Sequence, residues 1–227
     1  SVSAVVFGAR AARRNDERRI RTTCTEAQRD GERVQRTPAL GETDARWFES
    51  QGFRVVQSLV MLRRDARPHD SRQQTELSTE LLTFSWRRLR SHRHALMLSD
   101  LLRLDNQGFA APWNLSRDAF ARACTATYDH SVIVCGTDET TGFAIVGRSA
   151  QTAYLQRLVV RADVRRRGIA TRLVQESLAW AHSRGAVDLL VNTEQSNAAA
   201  LALYRGLGFV TVPDRLSVLE RELDETA

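Results

Sequence analysis

Two groups of residues in this chain have types and spacing that suit chemistry. The first is Arg165-Arg166-Arg167-Gly168-Ile169-Ala170, which follows the apolar run Leu158-Val159-Val160. A loop of small residues between a strand and a helix exposes unpaired N–H groups, and the helix dipole adds to their attraction for phosphate. Gly168 permits close approach or an unusual backbone angle, and Ala170 is the next smallest choice. The pattern lacks both the GxxxxGK of a triphosphate loop and the GxGxxG of a dinucleotide site, but it fits a pyrophosphate. The plainer alternative is an ordinary helix start beside solvated arginines. The second group is Asn197, Ala200, Leu203, Tyr204, Gly208 and Phe209. Asn197 lies close to a helix start, where it can cap the helix or hydrogen-bond a ligand amide. Tyr204 follows about two turns along the same face, so the two can line one crevice. There its phenol can donate a proton to a departing thiolate; the alternative is a core aromatic.

Other residue types narrow the chemistry. The 227 residues carry 33 basic and 27 acidic side chains, a net charge of +6, and every basic one is arginine. Without lysine there is no Schiff-base amine and no Walker-type phosphate loop. Cys24, Cys124 and Cys135 form an odd set without CxxC spacing, which suits neither a disulfide framework nor a thiolate zinc site. The five histidines make no metal signature; His92 and His94 lack a third ligand, and His182 suits the C-terminus of its helix. No apolar run is long enough to cross a membrane and no signal core follows the N-terminal arginines, so a soluble cytoplasmic protein is expected. Nucleic acid is not favoured as a partner, because acids are interleaved with the arginines and no DNA- or RNA-binding motif is present.

The elements that must position these groups follow from periodicity. ARWFESQGF reads as a short helix closed by glycine, and RVVQSLVMLR as one long or two short strands. The charged stretch before them, RAARRNDERRIRTTCTEAQRDGERVQR, is expected to be a solvated helix or partly disordered. Residues 67–80 are polar and aperiodic and are taken as a linker, between a partial first segment at 1–66 and a main domain at 81–227. In the main domain LLTFSWRRLR suits an edge strand, and SDLLRLDNQGF a helix capped by Ser99 or Asp100 with Leu101, Leu102 and Leu104 inward. LSRDAFARACTATYD suits a helix capped by Ser116 with Phe120, Ala123 and Cys124 inward. SVIVCG, GFAIVGR and AYLQRLVVR form an antiparallel meander. The helix from Gly168 and the strand AVDLLV make a crossover that requires a parallel neighbour. GFVTVP and SVLEREL are expected as an antiparallel pair. The result is a mixed α/β sheet, antiparallel at both flanks and parallel in the middle, with helices on its faces.

WFESQGF, ending at Phe53, echoes LYRGLGF, ending at Phe209, and an apolar strand pair follows each. Chance is one explanation. The other is a tandem duplication whose first copy keeps only its last helix and strands, with Phe48 standing where the second copy has Tyr204.

Arg165-x-x-Gly168-x-Ala170 resembles the Q/R-x-x-G-x-G/A pyrophosphate motif of the GCN5-related N-acetyltransferases (GNAT superfamily), and Asn197-x-x-Ala200-x-x-Leu203-Tyr204 is similar to that family's later acetyl-CoA motif. The resemblance covers residues 82–223 and is strongest over 154–209. It implies the GNAT fold, with a truncated GNAT-like segment ahead of it, and acetyl-CoA bound in a V-shaped opening between AYLQRLVV and AVDLLV. The backbone of Leu158, Val159 and Val160 would pair with the pantetheine arm, and the N–H groups of Arg166, Arg167, Gly168, Ile169 and Ala170 would receive the pyrophosphate. Tyr204 would protonate the thiolate after direct attack by an amine. Many members place a glutamate base on the central strand, where this chain has Tyr154-Leu155-Gln156-Arg157; Glu194 after the neighbouring strand is the candidate here, with Asp129, His130 or bulk water as alternatives. Phe109-x-x-Pro112-Trp113 resembles an acceptor-groove segment of RimI-like protein N-terminal acetyltransferases, while the truncated first copy resembles tandem members such as mycothiol synthase. The implied activity is transfer of an acetyl group to a primary amine, on a small molecule or a peptide N-terminus, with a catalytically weak acyl-CoA-binding module as the alternative. A first segment without a full sheet either covers an edge of the second or completes a partner copy's surface, which leaves a homodimer open.

Overall fold

A computed structural model of the chain describes residues 24–29, 32–67, 80–136 and 139–223. The described N-terminal part contains strands β1 (Thr25–Arg29), β2 (Glu32–Arg36) and β3 (Leu40–Gly41), helix α1 (Glu42–Ser50) and strand β4 (Arg54–Asp65). After it come β5 (Leu81–Phe84), α2 (Trp86–Leu89), α3 (Ala95–Gly108), α4 (Arg117–Thr125), β6 (Asp129–Cys135), β7 (Gly142–Ser149) and β8 (Thr152–Val160). The chain then forms α5 (Ile169–Ser183), β9 (Asp188–Glu194), α6 (Ala198–Gly206) and β10 (Val210–Glu222).

All ten strands belong to one sheet ordered β1-β2-β10-β4-β9-β8-β7-β6-β5, with β3 also on β10. The β8–β9 pair is parallel and its neighbours in the sheet are antiparallel, as the crossover through α5 requires. Alternation along the strands divides the core. Leu155 and Leu158 of β8, Leu189 and Val191 of β9 and Leu62 of β4 face α5 and α6. Phe143 and Ile145 of β7 and Val159 of β8 face α3 and α4 on the other side. On the second face, toward β10, Leu59, Met61, Leu216 and Val218 pack with Trp113.

The strands of the N-terminal part enter this sheet directly. β4 lies between β9 and β10, and β2 pairs with the end of β10. The echo has a geometric counterpart. In α1 the Phe53 N–H donates to the Phe48 carbonyl at 3.1 Å, and in α6 the Phe209 N–H donates to the Tyr204 carbonyl at 3.0 Å. Gly52 (φ 83°) and Gly208 (φ 81°) take the left-handed conformation that closes each helix. Phe48–Phe53 and Tyr204–Phe209 are ring pairs at 5.1 and 5.5 Å.

Several elements differ from expectation. The described part of the charged stretch is the β1–β2 pair, because pairing with β10 supplies the order that its own few apolar residues do not; its residues 10–23, 30 and 31 lie outside the described residues, as do 68–79 of the expected linker. LLTFSWRRLR is an edge strand only as far as Phe84. Ser85 then caps α2 by accepting from the Arg88 N–H. Helix α3 begins at Ala95, ahead of Ser99 and Asp100, which therefore lie inside it. The expected closing pair is a single strand, β10, whose register slips between Thr211 and Arg215 as it runs along β4.

Candidate functional site

The site arises where the parallel pair stops pairing. β8 and β9 match at Thr152↔Asp188, Ala153↔Leu189 and Tyr154↔Leu190, and their paired register ends there although both strands continue. The β7–β8 register breaks between Ile145 and Val146, leaving Gln156 as an extra residue on β8. This bulge falls just past Tyr154, where the β8–β9 pairing ends. The freed β9 edge of β8 leaves peptide groups for an extended ligand.

A cavity of about 450 Å³ occupies this opening. Leu158, Val159 and Val160 line it from β8, and Arg165, Arg166, Gly168, Ile169 and Ala170 from the turn and the start of α5. Gly108 and Phe109 close it on the α3 side, and Ala199, Ala202 and Leu203 on the α6 side. Gly168 is the N-cap residue of α5, left-handed at φ 79°, with no side-chain cap. The first turn closes with Arg172 N–H to the Gly168 carbonyl at 3.0 Å. Ile169, Ala170 and Thr171 therefore carry N–H groups that have no partner within the helix. Arg166 is also left-handed, at φ 64°, an arrangement that costs a non-glycine residue about 1–2 kcal/mol. Such strain is retained where the backbone has a task, and left-handed turns gather N–H groups into anion-binding concavities. The exposed guanidinium groups of Arg165 and Arg166 add charge at this rim.

The remaining sequence-derived candidates fall elsewhere. Arg167 is exposed and does not line the cavity. Asn197 caps α6, its Oδ1 accepting from the Ala200 N–H at 3.1 Å. Ala200 and Tyr204 turn into the core with Leu201. Asn197 and Tyr204 thus do not line one crevice. The cavity takes the neighbouring helical face, and the small residues Ala199 and Ala202, three apart, were the available signal. Tyr204 is 0% exposed and its hydroxyl has no hydrogen-bond partner. Burial pushes its ionisation upward, so the phenol stays protonated.

Glu194 ends β9 half-buried. Its Oε1 accepts from Gln57 Nε2 of β4, and its Oε2 from Ser196 Oγ at 3.2 Å. Asp129 and His130 lie at the other end of the sheet. Asp129 pairs with Arg148 and Arg148 with Ala153, five residues before the cavity-lining Leu158. Asp129 binds Arg148 and Arg184, and His130 Nε2 accepts from the Trp86 N–H at 3.1 Å. Neither is placed to serve as a base in the opening.

Residue 157, on the strand where an acid was sought, is an arginine tied down. Its guanidinium donates to Asp105 of α3 at 2.6 and 2.7 Å and to the Trp113 carbonyl at 2.8 Å, and it lies 3.3 Å over the Phe109 ring. A second buried ion pair, Arg36–Glu220, stands on the other side of Trp113, with the Arg36 guanidinium 4.6 Å from the Trp113 ring centroid. The Phe109–Trp113 segment is thereby fastened at both ends across the sheet. Asp105, Arg36 and Gln57 were not legible as site-building residues, since their partners are 52, 184 and 137 residues away.

The sheet thus has one splayed parallel pair, with a bulge on β8 and, beside it, a helix start without a side-chain cap. The model of the Acetyltransferase (GNAT) family matches residues 80–209, and the chain belongs to that family. It is 38% identical over 72 residues to a [ribosomal protein bS18]-alanine N-acetyltransferase of Salmonella typhimurium, covering 32% of this chain and 49% of that protein. It is 36% identical over 62 residues to an aminoglycoside N(6')-acetyltransferase type 1 of Acinetobacter genomosp. 13, covering 27% and 42%. The matches thus span about half the length of these curated relatives or less. Among solved structures, a tandem GNAT protein from the clavulanic acid biosynthesis pathway covers 90% of this chain and 64% of its own, at 14% identity and a TM-score of 0.57, a likeness of fold alone. No helix among the described residues is long and apolar enough to cross a membrane.

Proposed function

We propose that the chain is an N-acetyltransferase that takes acetyl-CoA as donor and a primary amine, on a small molecule or a peptide N-terminus, as acceptor. The observation that carries this reading is the continuity of one cavity from the uncapped start of α5 at Gly168 to the splayed edge of β8 at Leu158–Val160. The donor fits the residues present. N–H groups of the turn and first helical residues suit its pyrophosphate, the free β8 edge suits the amides of its pantetheine arm, and the apolar walls suit the arm itself. The three cysteines are free, which agrees with action in the cytoplasm.

Acetyl transfer then needs little covalent chemistry from the protein. The amine must lose a proton before attack, and Glu194 at the end of β9 is the candidate base, acting directly or through water. The nitrogen adds to the thioester carbonyl, whose oxygen takes up charge near the β8 N–H groups, and the carbon–sulfur bond breaks. Tyr204 is turned into the core from α6, behind the cavity-lining Leu203, and carries an unused donor. A buried phenol whose ionisation is raised is a weaker acid than a thiol, so its role is to donate a hydrogen bond that stabilises the departing thiolate, with protonation completed as CoA leaves.

A second reading is favoured by two observations: Tyr204 is absent from the cavity lining, and β8 carries no acid. In that reading the chain binds acyl-CoA and transfers slowly or not at all. One experiment separates the two. Acetyl-CoA is supplied with peptides bearing free N-termini, polyamines, aminoglycosides and amino-sugar thiols, and free CoA is measured. Amine-dependent release supports the transferase; tight acetyl-CoA binding without release for any acceptor supports the binding module.

A further inference from the structure

We propose that Gln57, on a strand outside the family-matched region, forms with Glu194 the subsite that holds the acceptor's ammonium group. The proposal rests on the transferase reading above. Gln57 is 7% exposed, and its Nε2 donates to Glu194 Oε1. That contact sets the amide's orientation, because an amide oxygen turned toward a carboxylate would be repelled. Its own Oε1 is left buried without a donor. A buried acceptor without a partner keeps its desolvation cost uncompensated, so the arrangement is unsatisfied until a donor arrives.

Topology places the pair on the β9 side of the splay, outside the cavity lining itself. Gln57 and Leu59 lie two apart on β4 and share a face, and Leu59 is the cross-strand partner of Glu194. On the other side of β9, the Tyr154↔Leu190 register continued past the extra residue Gln156 brings Val159 opposite Glu194. Val159 lines the cavity and belongs to the same sheet face as Phe109. In that register the cavity-lining edge of β8 and the end of β9 that carries Glu194 stand on the two sides of the splay.

The chemistry of the pair suits one kind of group. A primary ammonium offers three N–H donors and no acceptor. Glu194 supplies charge and Gln57 Oε1 a neutral carbonyl, a combination that binds the cation and leaves the carboxylate to accept its proton. A tertiary or acylated amine lacks the donors to satisfy both oxygens.

The test uses the full chain with acetyl-CoA and three amines, an alanine-led hexapeptide, spermidine and kanamycin, reading amine-dependent CoA release, with acetyl-CoA binding followed by calorimetry. Gln57→Met, which keeps the length but cannot replace the oxygen, is expected to raise the amine KM about tenfold and leave the acetyl-CoA Kd within about twofold. Gln57→Glu keeps an oxygen and adds a charge whose repulsion the ammonium relieves, so its amine KM stays at or below that of the wild type. An amine KM raised less than about threefold in Gln57→Met, a parallel rise in the acetyl-CoA Kd, or a Gln57→Glu variant as impaired as Gln57→Met would overturn the subsite while the transferase reading stands. Acetyl-CoA binding by the wild type without turnover of any of the three amines would overturn the transferase reading and the subsite together.

Discussion

Arg157 and Asp105 meet through two parallel hydrogen bonds, Nε to Oδ1 at 2.6 Å and Nη2 to Oδ2 at 2.7 Å, with Asp105 fully buried and Arg157 nearly so. The pair joins β8 to the C-terminal turn of α3, and through the Leu115 N–H and the Trp113 carbonyl it holds the segment between them. Removing one partner leaves the other charge buried and unpaired. Asp105→Ala is therefore expected to cost about 3–5 kcal/mol in urea unfolding. Combining it with Arg157→Met should cost less than the sum of the two single changes, and simple additivity would show that the pair is not coupled.

Gly168 caps α5 at a positive φ where a β-branched side chain is strained. Gly168→Val is expected to weaken acetyl-CoA binding more than about tenfold, because the turn must shift the N–H groups that face the cavity. Calorimetry with acetyl-CoA reads this, and unchanged affinity would remove the turn from the donor site.

Tyr204→Phe has opposite expected effects on stability and rate. The hydroxyl it deletes is buried without a partner, so the thermal midpoint of the free protein should stay or rise. Turnover of a genuine acceptor should fall, by about a hundredfold if the hydrogen bond to the thiolate is made in the transition state. Unchanged turnover would leave Tyr204 as a core aromatic only.

His130 gives a pH dependence with a definite sign. Burial lowers its pKa from the ordinary value of about 6.5, outweighing the opposing charge of Asp129. The unfolded chain therefore takes up a proton at higher pH than the folded one. This contribution is fully present above about pH 6.5 and is lost as the pH falls through that value toward the folded pKa. Urea midpoints at pH 5 and pH 8 should differ less in His130→Gln than in the wild type, and an equal difference would assign the acid sensitivity to other groups.

Much of the turn that lines the cavity was legible in the sequence because it is local. Gly168 follows a strand and opens a helix within a few residues, and Ser116 and Asn197 cap the helices they precede, each accepting from an N–H three residues on. The proposed acceptor side was not legible, because its contacts join distant segments. Glu194 was a candidate only by its place after a strand; the carboxamide that touches it comes from β4. The face of α6 was misjudged for a related reason. A seven-residue spacing puts Asn197 and Tyr204 near one line on an isolated helix, but the cap turns Asn197 back on the backbone and packing on Phe209 draws Tyr204 inward.

The sequence alone determined the mixed sheet, the crossover, the glycine at the start of α5 and the family resemblance, since periodicity and capping act over a few residues. Tertiary structure alone decided that β4 lies between β9 and β10, that β8 and β9 part after Tyr154, and that Arg157 is committed to Asp105. Those outcomes depend on which segments bury which faces against one another, and burial is settled among residues far apart in the chain.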